Sequence, residues 1–88
     1  MIVYDIRDNL TGGFIGFLFG DSMDEAACRR VRVSVECKSG LPGLVINAPQ
    51  DFSLFSIGVY DEKTGIFTSE VRNVKGISDL VNNGAESL

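Results

Sequence analysis

The segment that most constrains this chain is Phe52-Ser53-Leu54-Phe55-Ser56-Ile57-Gly58-Val59-Tyr60, followed at once by Asp61-Glu62-Lys63-Thr64-Gly65. Alternation places Phe55, Ile57 and Val59 on one side of an extended chain and Leu54, Gly58 and Tyr60 on the other. A strand with apolar groups on both faces needs cover on both, so it belongs in the middle of a sheet. Asp61–Gly65 carries hairpin chemistry, with Gly65 suited to the left-handed position of a bulged loop. Ile66, Phe67 and Thr68 then start an antiparallel return strand.

Other elements assemble around that hairpin. Residues 1–7 alternate Ile2, Tyr4 and Ile6 against Val3, Asp5 and Arg7, the period of a strand. Asp8, Asn9 and the pair Gly12-Gly13 supply a turn. Phe14 to Phe19 reads as a shorter returning strand, with Gly16 marking a bulge or a break. Ser22 with Glu25 three residues on forms a capping box that opens a helix. Asp24 and Glu25 complement the positive end of its dipole. Ala27, Cys28, Val31 and Val35 make one apolar stripe, and Glu25–Arg29 and Arg32–Glu36 are ion-pair spacings. Arg30 to Glu36 also alternates perfectly, and its valines favour strand; the cap, the alanine pair and the ion pairs favour helix. Lys38 to Gln50, with Gly40, Pro42, Gly43, Asn47 and Pro49, reads as a loop that Leu44, Val45 and Ile46 pin to the core. Ser78 to Val81 reads as one helical turn before a polar tail over 81–88.

The fold class expected is α+β: a small antiparallel β-sheet of three to four strands with one α-helix packed on one face. The 88 residues make a single domain, its core about 1–80. One helix leaves the other sheet face, with Leu54, Tyr60, Phe17 and Phe19, open to water, which predicts a homodimer or other homo-oligomer, formed either by that face or by pairing of an edge strand with its symmetry mate.

Reactive chemistry is sparse. The chain has no histidine, and its two cysteines, Cys28 and Cys37, lie nine apart without paired spacing. That pattern suits neither a structural zinc site nor a thiol nucleophile with its base, and it is too poor for a disulfide framework. Gly12, Gly13 and Gly16 do not match a phosphate-binding loop, since no Lys-Ser/Thr follows them. The expectation is a protein that is no enzyme, with no cofactor and no metal. The longest apolar run is far short of the ~20 residues that span a bilayer, and Asp5 interrupts any signal-peptide pattern, so no membrane association is expected.

Net charge is −4, unlike the strongly basic balance of many duplex-binding domains. Two features stand out against that background. Arg29, Arg30, Arg32 and Lys38 form the basic cluster; they read either as a solvated helix face or as a phosphate-contacting patch. Phe17 and Phe19, with Phe14, read either as core or subunit interface or as a stacking platform for unpaired bases.

Val3-Tyr4-Asp5, the segment from Asp21 to Ala27, and above all Pro49 to Gly65 resemble the small non-structural protein of gokushoviruses, a branch of the Microviridae. That family's pattern runs P-x-D-[FY]-x-L-[FY]-x-[IL]-G-x-[FY]-D-x-x-T-G, and this chain meets it from Pro49 to Gly65. The resemblance implies a bacteriophage protein of the host cytoplasm, outside the virion, that acts in viral DNA replication or in the switch from double-stranded replication to packaging. It further implies binding of single-stranded DNA. A protein-interaction module that recruits or restrains a phage or host replication protein, without touching nucleic acid, is the alternative that the acidic balance favours.

Overall fold

A computed structural model describes the backbone of residues 1–86 and the side chains through Val81. Four strands form one open antiparallel sheet: β1 (Ile2–Asp8), β2 (Phe19–Asp21), β3 (Phe52–Tyr60) and β4 (Phe67–Gly76), in the order β2-β1-β3-β4. As its two apolar faces require, β3 is interior. Among the described residues three helices complete the fold: α1 (Asp24–Cys37), α2 (Gly43–Asn47) and α3 (Ile77–Glu86), with a 3-10 turn at Pro49–Asp51. The class is α+β.

Residues 30–36, which alternate like a strand, lie inside α1. The stripe Ala27, Val31 and Val35 is buried against Tyr4, Ile6, Phe52 and Leu54 of the sheet. Burying three side chains on one helical stripe outweighs the strand preference of valine, because a strand here would split them between two faces. Ile77 and Leu80 of α3 join the same core, so two long helices, rather than one, cover this face. The tail expected over 81–88 continues α3 as far as Glu86; residues 87–88 lie outside the described part. In the connection after α1, Val45 alone of the three anchoring residues is fully buried, and Leu44 is exposed.

Alternation in β3 does not run through. Tyr4 pairs with Ser56 and Val3 with Gly58, leaving Ile57 as an extra residue against β1. Leu54 therefore faces the helices, Phe55 faces away, and Val59 returns to the helix side opposite Ile2, off the face it would share with Phe55 under strict alternation. The open apolar face expected from Leu54, Phe17 and Phe19 does not form, since Leu54 is fully buried under the helices and both rings pack on that same core. A bulge shifts the parity of everything beyond it. Gly58 is required at that point, because a Cβ there would collide with the carbonyl oxygen of Thr68 and the ring of Phe67.

On the sheet face away from the helices, Phe55 is covered by the ring of Phe14, edge-on at 5.3 Å, and by the Arg7 guanidinium, 5.5 Å from the ring centroid. Phe14 reaches it from the Asn9–Leu18 connection, where it bridges Arg7 of β1. The expected second strand over Phe14–Phe19 is accordingly broken: it touches β1 at Phe14 and resumes only at Phe19. Gly16, at φ +80°, marks the break.

Candidate nucleic-acid interface

α1 carries three of the four candidate cations, and helical geometry decides whether they act together. Arg30 and Arg32 are two residues apart and so about 200° apart around the axis, on opposite flanks. Arg30 leans toward β2. Its guanidinium donates to the Gly20 carbonyl at 2.9 Å, pairs with Asp21 at 3.3 Å, and sits 4.9 Å over the Phe19 ring. Arg32 pairs at 3.8 Å with Glu36, one turn on. Arg29 is exposed on the outward side of α1, and Lys38 is the left-handed C-cap residue at φ 53°. The basic cluster of the sequence is thus not one patch. Two of its arginines are paired with carboxylates, and the four point in several directions.

The two phenylalanines do come together with one of these cations. Phe17 and Phe19 meet edge-to-face at 6.1 Å. Together with Arg30, Val31, Ser34 and Leu41 they line an open hollow of about 60 Å³ between α1 and β2. Phe19 is half-buried, with Tyr4 stacked on its ring at 5.3 Å and the Arg30 guanidinium 4.9 Å from its centroid. Phe17 is half-buried and packs against the core, and the Arg30 side chain is more than half exposed.

What holds this rim in place was not legible as a site. Asp5, only 4% exposed, accepts the amide of Phe17 at 2.8 Å and that of Ile6 at 2.6 Å. The carboxylate stands in for a strand partner where Gly16 leaves the sheet. Asp21 is held below the usual carboxylate range by the Ser22 amide first and then by Arg30.

A second polar cluster ties α1 to the sheet. The fully buried Tyr4 donates its hydroxyl to Asp24 at 2.7 Å, and Arg72 of β4 grips the same carboxylate with both terminal nitrogens at 2.8 and 3.2 Å. The guanidinium, then the phenol, hold the Asp24 carboxyl low; burial pushes the Tyr4 phenol up, reinforced by the carboxylate beside it. This cluster corrects the expected capping box. The N-cap residue is Met23, with no side-chain cap hydrogen bond; Ser22 caps nothing, and α1 is anchored through its first residue, Asp24, instead. Beside the cluster, Ile2, Val59, Glu70 and Arg72 line a shallow depression of about 240 Å³.

Neither cysteine is disulfide-bonded, and burial pushes the Cys28 thiol up, away from reactivity. Among the described residues no three His, Cys, Asp or Glu side chains gather as a metal site would need, and no helix is long and apolar enough to cross a membrane.

Fold and surface together define a small α+β sheet protein with an aromatic–arginine hollow between α1 and β2. By sequence the chain belongs to the bacteriophage family described as Phage ORF5 protein, whose family model matches residues 1–84. No curated protein and no solved structure matches it.

Proposed function

We propose that this phage protein is a non-catalytic, non-structural protein that binds single-stranded DNA during genome replication or the switch to packaging. It acts as a homodimer in the host cytoplasm and stays out of the virion. The observation that carries this reading is the rim formed by Phe17 and Arg30. The half-buried Phe17 ring and the Arg30 guanidinium, its side chain more than half exposed, line one hollow and offer one base a stacking partner and one phosphate a counter-charge. Stacking of this kind is indifferent to sequence, because every base has a π-face. The gokushovirus-like motif from Pro49 to Gly65 supports the same assignment.

Pairing of Arg30 with Asp21 and of Arg32 with Glu36 limits the electrostatic share. With about one phosphate engaged per protomer, the logarithm of affinity falls with log salt at a slope near −0.7. A titration against single-stranded and duplex DNA at two salt concentrations tests this. Phe17→Ala is expected to weaken single-strand binding by about 1–3 kcal/mol with the slope unchanged. Arg30→Gln is expected to flatten the slope.

The alternative, a protein-interaction module for a phage or host replication protein, is favoured by one specific feature. The Asn9–Leu18 connection presents Leu10, Ile15 and Leu18 to solvent, with Leu10 at 78% exposure. Absence of DNA binding at low salt, together with loss of replication-protein binding in Leu10→Ser/Leu18→Ser, would establish that reading in its place.

A further inference from the structure

The two ends of the sheet differ in what they leave unpaired. β2 closes one end with three residues. β4 closes the other with ten, almost all exposed, and no described strand pairs with its outer edge. A long exposed edge offers a row of amides and carbonyls to another strand, and natural edges are usually kept short, bulged or charged, carry proline or are covered. β4 has no proline, eight of its ten residues are exposed, and its register against β3 shifts twice.

The side chains of this edge are self-complementary about one residue. Glu70 and Arg72 lie on the helix side, where both border the depression beside Asp24, and Val71 between them points to the opposite face at 59% exposure. In an antiparallel pair of identical strands the two-fold axis passes through one residue, and its neighbours face each other across it. An axis at Glu70 or at Arg72 would set like charges directly opposite, which destabilises. An axis at Val71 sets Glu70 opposite Arg72 twice and Val71 opposite its own mate. Arg72 uses its two terminal nitrogens on Asp24 and keeps further N–H donors, with nearly half its side chain exposed.

From this we infer that two copies of the chain join through their β4 edges, antiparallel and centred on Val71, extending the two sheets into one of eight strands. Residues Thr68 to Val74 pair, with a Glu70–Arg72 contact on each side of the axis. The inference rests on the homodimer reading above and specifies its surface, leaving the DNA reading independent. The interface is isologous, so it closes at two copies and leaves no edge for further growth at that end.

Sedimentation equilibrium and cysteine cross-linking test it together. The wild-type chain is expected to sediment at twice its 9.5 kDa. Glu70→Arg, which confronts Arg72 of the second copy with a like charge, is expected to raise the concentration for half-dissociation about tenfold or more. Its thermal melt by circular dichroism checks that the monomer is folded. In a Cys28→Ser/Cys37→Ser background, Val71→Cys should cross-link on mild oxidation, because directly opposed antiparallel residues lie about 4.5–5.5 Å apart, within disulfide reach. Thr68→Cys, about 20 Å from its mate in this register, should not. A wild-type dimer that ignores Glu70→Arg and fails to cross-link at Val71→Cys overturns the β4 edge and leaves the dimer standing through another face. Cross-linking at Thr68→Cys in place of Val71→Cys overturns the register. A chain that is monomeric throughout overturns both.

Discussion

The same five-residue turn occurs twice in this molecule, with opposite consequences. Asp8-Asn9-Leu10-Thr11-Gly12 and Asp61-Glu62-Lys63-Thr64-Gly65 share the pattern D-x-x-T-G. Each aspartate carboxylate accepts the amides two and three residues on, and each threonine hydroxyl accepts the amide two residues on. Each glycine amide returns to the aspartate carbonyl at 2.8 Å, and the glycines sit at φ +81° and +76°. After the second turn the chain runs straight into the ten residues of β4. After the first it pairs with β1 only around Gly13 to Ile15, leaves at Gly16, and returns as three-residue β2. A turn therefore settles how a chain reverses. Whether a strand follows depends on the residues beyond it, and here on a buried carboxylate. Asp5 satisfies Phe17 where the ladder is interrupted, and that interruption swings Phe14 over Phe55 and brings Phe17 to the rim of the hollow.

Replacing Asp5 with Ala is the change expected to do most damage, and only to the first hairpin. Two amides lose a charged acceptor, at about 1.5–3 kcal/mol for each such bond, so about 3 kcal/mol in a denaturant melt is a conservative expectation. The hydrogen-exchange signature should be faster exchange of the Phe17 amide while β3–β4 amides keep their relative protection.

Asp24 is the carboxylate that links the two hairpins, through Tyr4 on β1 and Arg72 on β4. Asp24→Ala strands the buried Tyr4 hydroxyl and should cost about 2 kcal/mol. Its pH dependence has a definite sign. The folded carboxyl is held below the ordinary 3.8, so its contribution is fully present above that pH and is lost as pH falls through the lowered value. Melts between neutral pH and the acid range should show part of the wild-type acid loss missing in Asp24→Asn.

For the regular hairpin, Gly58→Ala is the corresponding breakage. The added methyl meets the Thr68 carbonyl and the Phe67 ring, an overpacking expected to cost about 1–3 kcal/mol. The turns themselves should respond alike. Gly12→Ala and Gly65→Ala each force a Cβ into the left-handed region, at about 1–2 kcal/mol, and equal shifts in the two melts would establish the turns as equivalent. A smaller effect at Gly12 would indicate that the irregular hairpin relaxes around its turn.

Ser22→Ala stands at the bottom of the scale. A cap at Ser22 would lose about 0.5–2 kcal/mol on this change. With Met23 at the N-cap and no side-chain bond there, the midpoint should move by less than about 0.5 kcal/mol, as for an ordinary surface site.

Local features of the chain were legible without the fold. The β3 strand, the Asp61–Gly65 turn, the break at Gly16 and the helical stripe Ala27-Val31-Val35 follow from periodicity and backbone preference, which act over a few residues. The scattering of Arg30 and Arg32 was legible too, once residues 30–36 are helix, because two residues on a helix fall on opposite flanks. The repeated D-x-x-T-G was a further signal in plain view. Tertiary structure alone decided the rest. It displaced the cap from Ser22, because Asp24 gained two partners 20 and 48 residues away. It set both Tyr4 and Arg30 against the Phe19 ring, and it returned Val59 to the helix side through a bulge at Ile57. Each of these depends on which distant groups meet. A sequence lists the donors, acceptors and rings available; their pairing across the sheet is set by register and by the desolvation each pairing must offset.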